Sequence, residues 1–260
     1  MTAEPSIAES GELAGLTAVV TGSSSGIGRA IAIELASAGA NCLVHGNRNR
    51  TGADETAAAI AAFGVAVRVE LADIADRDEC RRLAEAAWQW RGGIDIWINN
   101  AGADVLTTAA SQATADEKLE LLWRVDVAGT FQLSRAVGAR MKQRGRGVIV
   151  NVGWDQAETG MEGDAGQIFG TTKAAVMAFT RSLAKSLAPE VRALCVAPGW
   201  IKTAWGDAAS DYWQGRAKRE SLAGRWGTPQ DVARVVHFLA SPKNDYLNGQ
   251  TIAVNGGLAK

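Results

Sequence analysis

The sequence predicts an α/β fold in which a doubly wound parallel sheet carries helices on both faces. Three observations support this prediction: strand-like and helix-like segments alternate along the whole chain, several strand-like segments are unbroken apolar runs, and a glycine-rich loop follows the first of them. Unbroken apolar strands are typical of a sheet that helices cover on both faces. The alternation favours right-handed crossovers between parallel strands.

Seven segments have the apolar character of strands, and helical patterns separate them. The predicted strands cover residues 17–21, 42–45, 65–70, 94–98, 148–152, 191–196 and 251–254. The predicted helices include residues 28–38, 53–63, 76–90, 116–144, 171–188 and 229–240. Pro229 stands at the start of the last helix, where its missing N–H costs little.

Length and composition predict one domain. With 260 residues, of which 47% are hydrophobic and 21% charged, the chain suits one large α/β unit. We expect a loose tail over residues 1–15 and a single domain over residues 16–260. A net charge of -1 without a long basic run argues against nucleic-acid binding. There is no apolar stretch long enough to span a membrane and no signal-peptide pattern, so we expect a cytoplasmic protein.

The cysteines do not indicate a metal site or a disulfide framework. Cys42, Cys80 and Cys195 form neither a CxxC pair nor a cysteine–histidine pattern with ligand spacing. Because Cys42 and Cys195 lie in apolar strand-like runs, we interpret them as small core residues.

The loop after the first predicted strand has the pattern of a dinucleotide-binding loop, reading TGSSSGIG over residues 21–28. Gly22 permits a sharp exit from the strand, Gly26 lets the backbone approach a pyrophosphate, and Gly28 lets the helix pack close to the sheet. The helix N-terminus then offers free N–H groups to the phosphates. The loop therefore predicts a Rossmann-like site for a nicotinamide dinucleotide.

The end of the second predicted strand indicates which dinucleotide is bound. Cofactors without a 2′-phosphate usually meet an acidic residue about 20 residues beyond the glycines. Residues 45–50 read HGNRNR instead, so no carboxylate would repel a 2′-phosphate. Arg48 or Arg50 could pair with this phosphate, and we expect Asn47 and Arg48 among the cofactor contacts. The alternative is that both arginines are merely solvated. NADP(H) is the preferred cofactor, and NAD(H) is the alternative.

Further motifs follow in order: DI at 73–74, NNAG at 99–102, PGWIKT at 198–203, RWGTPQDVA at 225–233, NGQT at 248–251 and VNGG at 254–257. With these motifs the chain resembles the classical short-chain dehydrogenase/reductase family over nearly its whole length. The resemblance implies a seven-stranded parallel sheet, a small-molecule substrate and a homotetramer or homodimer.

The resemblance also implies where the cofactor lies: the adenine near residues 73–74, its central region near 100–102, and the nicotinamide end near 198–203. The expected cofactor contacts are Gly22, Ser24, Ser25, Gly26, Ile27, Gly28, Asn47, Arg48, Asp73, Ile74, Asn100, Ala101, Gly102, Lys173, Pro198, Gly199, Ile201 and Thr203.

The catalytic pattern of the family is altered. In the family a tyrosine transfers the proton, a lysine four residues later lowers the tyrosine pKa, a serine polarises the substrate oxygen, and an asparagine anchors a relay water. The resemblance maps the lysine to Lys173 but the tyrosine to Phe169. It maps the serine to Trp154, at or next to that position, and the asparagine to Asp126. A phenyl ring cannot exchange a proton, so we expect the usual acid to be missing.

Two carboxylates are candidate replacements, Asp126 and Asp155. If the family geometry holds, Asp126 lies near Lys173, where the pair could order a water or act as a base; alternatively it is a structural ion pair. Asp155 could have a raised pKa if Trp154 partly buries it. The alternative for Asp155, and for Glu158 and Asp164 beside it, is a solvated loop.

Nine tryptophans are many for this length. Trp154, Trp200, Trp205 and Trp213 fall in segments that form the active-site rim of the family, whose substrate lid corresponds to residues 200–222 or so. Such rings suit a flat apolar or aromatic substrate, or a cation. A subunit interface is the alternative.

The leading hypothesis is an atypical NADP(H)-dependent oxidoreductase that transfers hydride to or from a small organic substrate, with C=C or C=N reduction favoured over ketone reduction. One alternative is a non-redox cyclase, isomerase or eliminase on the same scaffold. Another is a cofactor-binding pseudoenzyme. The fold alone does not choose among them.

Overall fold

A seven-stranded parallel sheet forms the centre of the molecule in a computed structural model that describes residues 11–257. Its strands are β1 (Thr17–Val20), β2 (Asn41–Gly46), β3 (Val67–Leu71), β4 (Ile96–Asn99), β5 (Gly147–Val152), β6 (Val191–Pro198) and β7 (Thr251–Val254). They lie in the order β3-β2-β1-β4-β5-β6-β7, and every neighbouring pair is parallel. The predicted fold class is confirmed.

Helices follow the strands in alternation. They are α1 (Gly26–Ser37), α2 (Arg50–Ala61), α3 (Arg77–Gln89), α4 (Ala115–Leu122), α5 (Thr130–Arg144), α6 (Gln156–Thr159), α7 (Gly163–Leu187), α8 (Ala204–Ala208), α9 (Asp211–Glu220) and α10 (Pro229–Ala240). A π-helical segment, Trp123–Gly129, joins α4 to α5. Short 3-10 turns lie at Trp90–Gly92, Ala109–Gln112 and Pro242–Asn244.

The core is divided between the two faces of the sheet because successive strand residues point to opposite sides. Val20 and Ile98 pack with α1 and α10, whereas Val19 and Trp97 pack with α3, α5 and α7. This arrangement confirms helices on both faces. It also leaves the carboxyl ends of β1 and β4, where the strand order reverses, free for a ligand.

We expected a loose tail over residues 1–15, and this expectation is wrong for residues 11–15. These residues form a turn against the core: Leu13 is fully buried, and its N–H donates to the Ala38 carbonyl at 2.8 Å. Residues 1–10 lie outside the described part. No helix within residues 11–257 combines the length and apolarity that crossing a membrane requires.

Candidate functional site

A cavity of about 540 Å³ opens at the carboxyl ends of β4, β5 and β6. The π-helical segment and α7 bring Asp126 and Lys173 to it, and the segment after β6 covers it with tryptophans. The glycine loop borders the same cavity through Ile27. A single region therefore joins the predicted cofactor loop, the predicted lysine and the aromatic rings.

The glycine loop has the close packing that its sequence predicts. A Cβ on Gly22 would lie 2.7 Å from the Ala101 Cα, and a Cβ on Gly28 would lie 2.3 Å from the Gly22 carbonyl oxygen. Asn100 fixes the loop to β4, since its amide donates to the Thr21 carbonyl at 3.0 Å. The Asn100 side chain thus shapes the loop.

The N-terminus of α1 fits an anionic group. Ser25 at the N-cap makes no side-chain hydrogen bond to the helix, and Ser25 and Gly26 are exposed. Free N–H groups and the positive end of the helix dipole then face outward. These residues fit the phosphates of a dinucleotide.

His45, for which the sequence analysis assigned no role, holds the glycine loop in place. Its Nδ1 accepts the Gly22 N–H at 3.0 Å, so the proton lies on Nε2, which contacts the Ala72 carbonyl at 3.0 Å. Burial lowers the pKa of His45 to about 4. A neutral histidine therefore connects the loop to the end of β3, next to the predicted adenine contacts.

The structure distinguishes the two arginines after β2. Arg50 pairs with Asp54 at 2.9 Å within α2. Arg48 is exposed and forms no salt bridge with another described residue. Its guanidinium can therefore contact a 2′-phosphate without breaking an existing pair.

The carboxylate at the end of β3 also suits its predicted role. Asp73 accepts the Ala75 N–H through Oδ1 at 2.9 Å. The second oxygen is then available to an amino group, as the predicted adenine contact requires. Ile74 beside it is buried.

Lys173 and Asp126 form an ion pair at the floor of the cavity. The ammonium donates to Asp126 Oδ2 at 2.9 Å and to the Val152 carbonyl at 3.3 Å. The Asp126 side chain is 2% exposed and that of Lys173 14%. Asp126 Oδ1 also accepts the Ala103 N–H at 2.9 Å. The predicted proximity of the two side chains is confirmed, and one of the three ammonium N–H donors remains for a ligand.

The backbone around Asp126 is adapted to this pair. Asp126 lies in the π-helical segment, where the predicted helix over residues 116–144 is interrupted. Such wide turns are frequent at functional sites. A Cβ on Gly102 would lie 2.9 Å from Asp126 Oδ2, and a Cβ on Gly129 would lie 2.8 Å from the Ile74 carbonyl. Glycine at both positions makes room for the segment.

Trp154 and Phe169 form one wall of the cavity. Their ring centroids are 6.3 Å apart, and the planes meet at 66°. Both rings line the cavity together with Lys173. In the described part of the chain, no tyrosine, histidine or cysteine side chain lines it.

Asp155 lies outside the cavity lining. Its Oδ1 accepts the Gln156 N–H at 2.8 Å, and its Oδ2 accepts the Asn255 amide at 3.0 Å. Burial raises the pKa of Asp155, in the direction that we expected, although these hydrogen bonds oppose the shift. Glu158 and Asp164 are exposed and do not line the cavity.

Four tryptophans form a cluster over the cavity: Trp200, Trp205, Trp213 and Trp226, with neighbouring ring centroids 5.6–6.1 Å apart. All four line the cavity. Trp226, outside the predicted lid, was not among the residues predicted for the rim. We call this set the tryptophan cluster.

Arg216 of α9 fastens the tryptophan cluster to the rest of the protein. Its guanidinium donates hydrogen bonds to Glu162, just before α7, at 3.0 Å and to Glu220 at 2.6 Å. Glu220 in turn accepts the Trp200 indole N–H at 2.8 Å. The hydrogen bond to Glu162 is the main reason that the pKa of Arg216 lies above its ordinary value.

A buried polar network lies behind the site. The Asn99 amide donates to Ser134 and to Asn151, each at 2.8 Å. Asn151 donates to Thr180 at 2.8 Å. The network joins β4 and β5 to α5 and α7, and it fixes the helix that carries Lys173. In the sequence, this network could have been recognised from single polar residues that stand within apolar strand segments.

Comparisons with known proteins agree with this geometry. The sequence profile of a family described as enoyl-(acyl carrier protein) reductase matches residues 22–259. The 3-oxoacyl-(acyl-carrier-protein) reductase FabG of Aquifex aeolicus (strain VF5) is 36% identical over 254 residues, which cover 95% of this chain and 98% of the relative.

Solved structures are similar over the same extent. A 7 alpha-hydroxysteroid dehydrogenase complexed with NADH and 7-oxo glycochenodeoxycholic acid has a TM-score of 0.86 and 28% identity, covering 94% of each chain. A gluconate 5-dehydrogenase from Burkholderia cenocepacia J2315 in complex with NADP and tartrate has a TM-score of 0.82 and 31% identity, covering 93% of this chain and 94% of that chain.

Proposed function

Because the chain belongs to the short-chain dehydrogenase/reductase family of NAD(P)-dependent oxidoreductases, we propose that it transfers hydride between NADP(H) and a small apolar or aromatic substrate without a phenol as proton donor. The composition of the cavity carries the proposal. Aromatic rings and the Lys173–Asp126 pair line it, and no tyrosine does among the described residues.

The chain's own residues have the following roles in this proposal. Lys173 holds the nicotinamide ribose through its free N–H, and Asp126 holds Lys173 in position. Phe169 and Trp154 stand at the family's tyrosine and serine positions and exclude water from the reacting atoms. When bound, the reduced nicotinamide supplies the hydride. A C=C or C=N bond suits such a site because its reduction requires less proton donation onto oxygen.

The preference for NADP(H) over NAD(H) belongs to the same proposal. Arg48 is free to meet a 2′-phosphate, and residues 45–50 contain no carboxylate. The similar gluconate 5-dehydrogenase structure contains NADP, whereas the 7 alpha-hydroxysteroid dehydrogenase structure contains NADH. The fold therefore accommodates either cofactor, and Arg48 supports NADP(H).

We also propose a cytoplasmic homodimer or homotetramer. Phe131 on α5 is 42% exposed and contacts Phe179 on α7 at a centroid distance of 4.9 Å. An exposed aromatic ring that packs on a partly buried one on the adjacent helix is typical of a subunit interface. Size measurement in solution at several protein concentrations tests this assembly.

Turnover by the purified protein tests the reaction. With NADPH and a panel of ketones, enones and imines, we expect reduced cofactor to be consumed with enones or imines and not with ketones. If the protein binds NADPH but consumes it with none of them, the redox proposal fails, and a non-redox enzyme or a pseudoenzyme is the better account.

A double substitution tests the missing phenol. Phe169→Tyr with Trp154→Ser restores the two groups that ketone reduction needs in this family, so ketone reductase activity should appear. Phe238→Tyr, which adds the same hydroxyl to a ring that is 53% exposed on α10 and outside the cavity lining, is the control and should add none. Ketone reduction by the unmodified protein would contradict the proposal.

A further inference from the structure

The ionisable side chains of the cavity leave one net negative charge. Asp104, Asp126 and Lys173 are the ionisable residues among its described lining. Lys173 and Asp126 neutralise each other at 2.9 Å. Asp104 forms no salt bridge with a described lysine or arginine, so its charge is uncompensated by the protein.

Asp104 stays ionised near neutral pH. Partial burial raises the pKa of this carboxyl, but hydrogen bonds from the Thr107 hydroxyl and from the N–H groups of Thr107 and Leu106 outweigh it. The pKa of Asp104 therefore lies below its ordinary value. The rim of the cavity carries a fixed anion.

Aromatic side chains form part of the remaining wall. Among the described residues, six of them line the cavity: Trp154, Phe169, Trp200, Trp205, Trp213 and Trp226. Indole faces attract cations, most strongly where water is excluded. The tryptophan cluster already holds one cation outside the cavity lining, because the Arg216 guanidinium lies 5.2 Å from the Trp213 centroid.

We infer that the substrate is a cation, an aryl-substituted iminium ion, held by the tryptophan cluster and Asp104; this inference rests on the proposed reductase function. Two electrons and one hydrogen nucleus pass from the reduced nicotinamide to the iminium carbon, where a C–H bond forms. The C=N π pair becomes the nitrogen lone pair, and the nicotinamide becomes oxidised. Atoms and charge balance without a proton donor.

This chemistry accounts for the absence of a tyrosine from the described lining of the cavity. A ketone gains charge on oxygen as hydride arrives and needs an acid at that atom. An iminium ion loses its charge instead. A phenyl ring at Phe169 and an indole at Trp154 are therefore compatible with the reaction, and they add two faces that can contact the cation.

Binding measured by calorimetry tests the inference independently of turnover. The protein is loaded with a tetrahydro analogue of NADPH that cannot transfer hydride. It is then titrated with an N-methyl dihydroisoquinolinium salt and with its neutral carbocyclic isostere. We expect the cation to bind at least tenfold more tightly, since the aromatic rings and the carboxylate both favour a positive charge. Equal binding of the two probes, or tighter binding of the isostere, overturns the inference.

Variants show whether the charge of Asp104 is responsible. Asp104→Asn keeps an oxygen that can accept the loop N–H groups, and it should weaken cation binding about tenfold while changing isostere binding less than about twofold. Asp207→Asn removes a charge on α8 that is 67% exposed and outside the cavity lining, and it should change neither. An unchanged cation affinity in Asp104→Asn refutes the role of this carboxylate.

Turnover distinguishes the proposed reductase function from the proposed iminium substrate. Consumption of NADPH with the isoquinolinium salt supports both. Consumption with a neutral enone, together with no preference for the cation, leaves the reductase function standing and refutes the iminium substrate. Tight cation binding without NADPH consumption by any probe refutes the reductase function, and iminium reduction with it.

Discussion

The Lys173–Asp126 pair allows a quantitative test of the site. Asp126→Asn keeps the size of the side chain but leaves the Lys173 ammonium, 14% exposed, without a counter-charge. Removing one partner of a fully buried pair costs about 3–5 kcal/mol, and an exposed pair contributes about 0–1 kcal/mol. Since Lys173 has limited solvent access, we expect a loss of about 2–3 kcal/mol, between these ranges.

Thermal unfolding without cofactor measures this loss. For a domain of this size, about 1 kcal/mol corresponds to about 2–4 °C, so the midpoint should fall by roughly 4–12 °C. Asp54→Asn is the control, because the Arg50–Asp54 pair is exposed by 63% and 52% and should shift the midpoint by no more than a few degrees. Combining Asp126→Asn with Lys173→Met should cost less than the sum of the single changes. Equal shifts for Asp126→Asn and Asp54→Asn would refute the argument.

The remaining predictions concern the cofactor site. Gly28→Ala should abolish NADP binding, measured by calorimetry, because its Cβ would lie 2.3 Å from the Gly22 oxygen; retained affinity would contradict this packing argument. Arg48→Ala should weaken NADP binding about tenfold and leave NAD binding unchanged, whereas Arg50→Ala should alter neither; equal losses for both cofactors would contradict the 2′-phosphate contact. Because the pKa of His45 is lowered from 6.5 to about 4, the unfolded chain takes up this proton more readily. Its contribution, about 3 kcal/mol, is complete above pH 6.5 or so and is lost as the pH falls toward about 4. The free energy of unfolding, measured with urea at several pH values, should fall less steeply toward acid pH in His45→Gln than in the unmodified protein. An unchanged pH dependence would count against the buried histidine.

Periodicity and motifs were sufficient to predict the sheet. Seven apolar runs predicted the seven strands, with ends displaced by at most two residues. The glycine loop and its packing followed from the need for close backbone approach at Gly22 and Gly28. These features depend on local sequence and on sterics that any parallel sheet imposes.

Features that depend on tertiary contacts were missed. The π-helical turn at Asp126 has no periodic signature, so the sequence predicted one continuous helix over residues 116–144. The helix α9 is short and is held by Arg216, whose partner Glu162 is 54 residues away. The helix α8 is tied to α9 by Gln214, whose amide donates to the Gly206 carbonyl at 2.6 Å. His45 looked like a strand residue, because its partners Gly22 and Ala72 are supplied by two other segments. Such pairings arise only once the sheet has formed.

Deuterium labelling shows whether the nicotinamide hydrogen reaches the product. The unmodified protein, with Phe169 in place, is incubated with NADPH that carries deuterium at the transferable position and with an aryl iminium or enone substrate. We predict one deuterium in the reduced product, formed in a cavity that no tyrosine lines among residues 11–257. Bound cofactor that retains its deuterium, with no product from any of these substrates, would contradict the account.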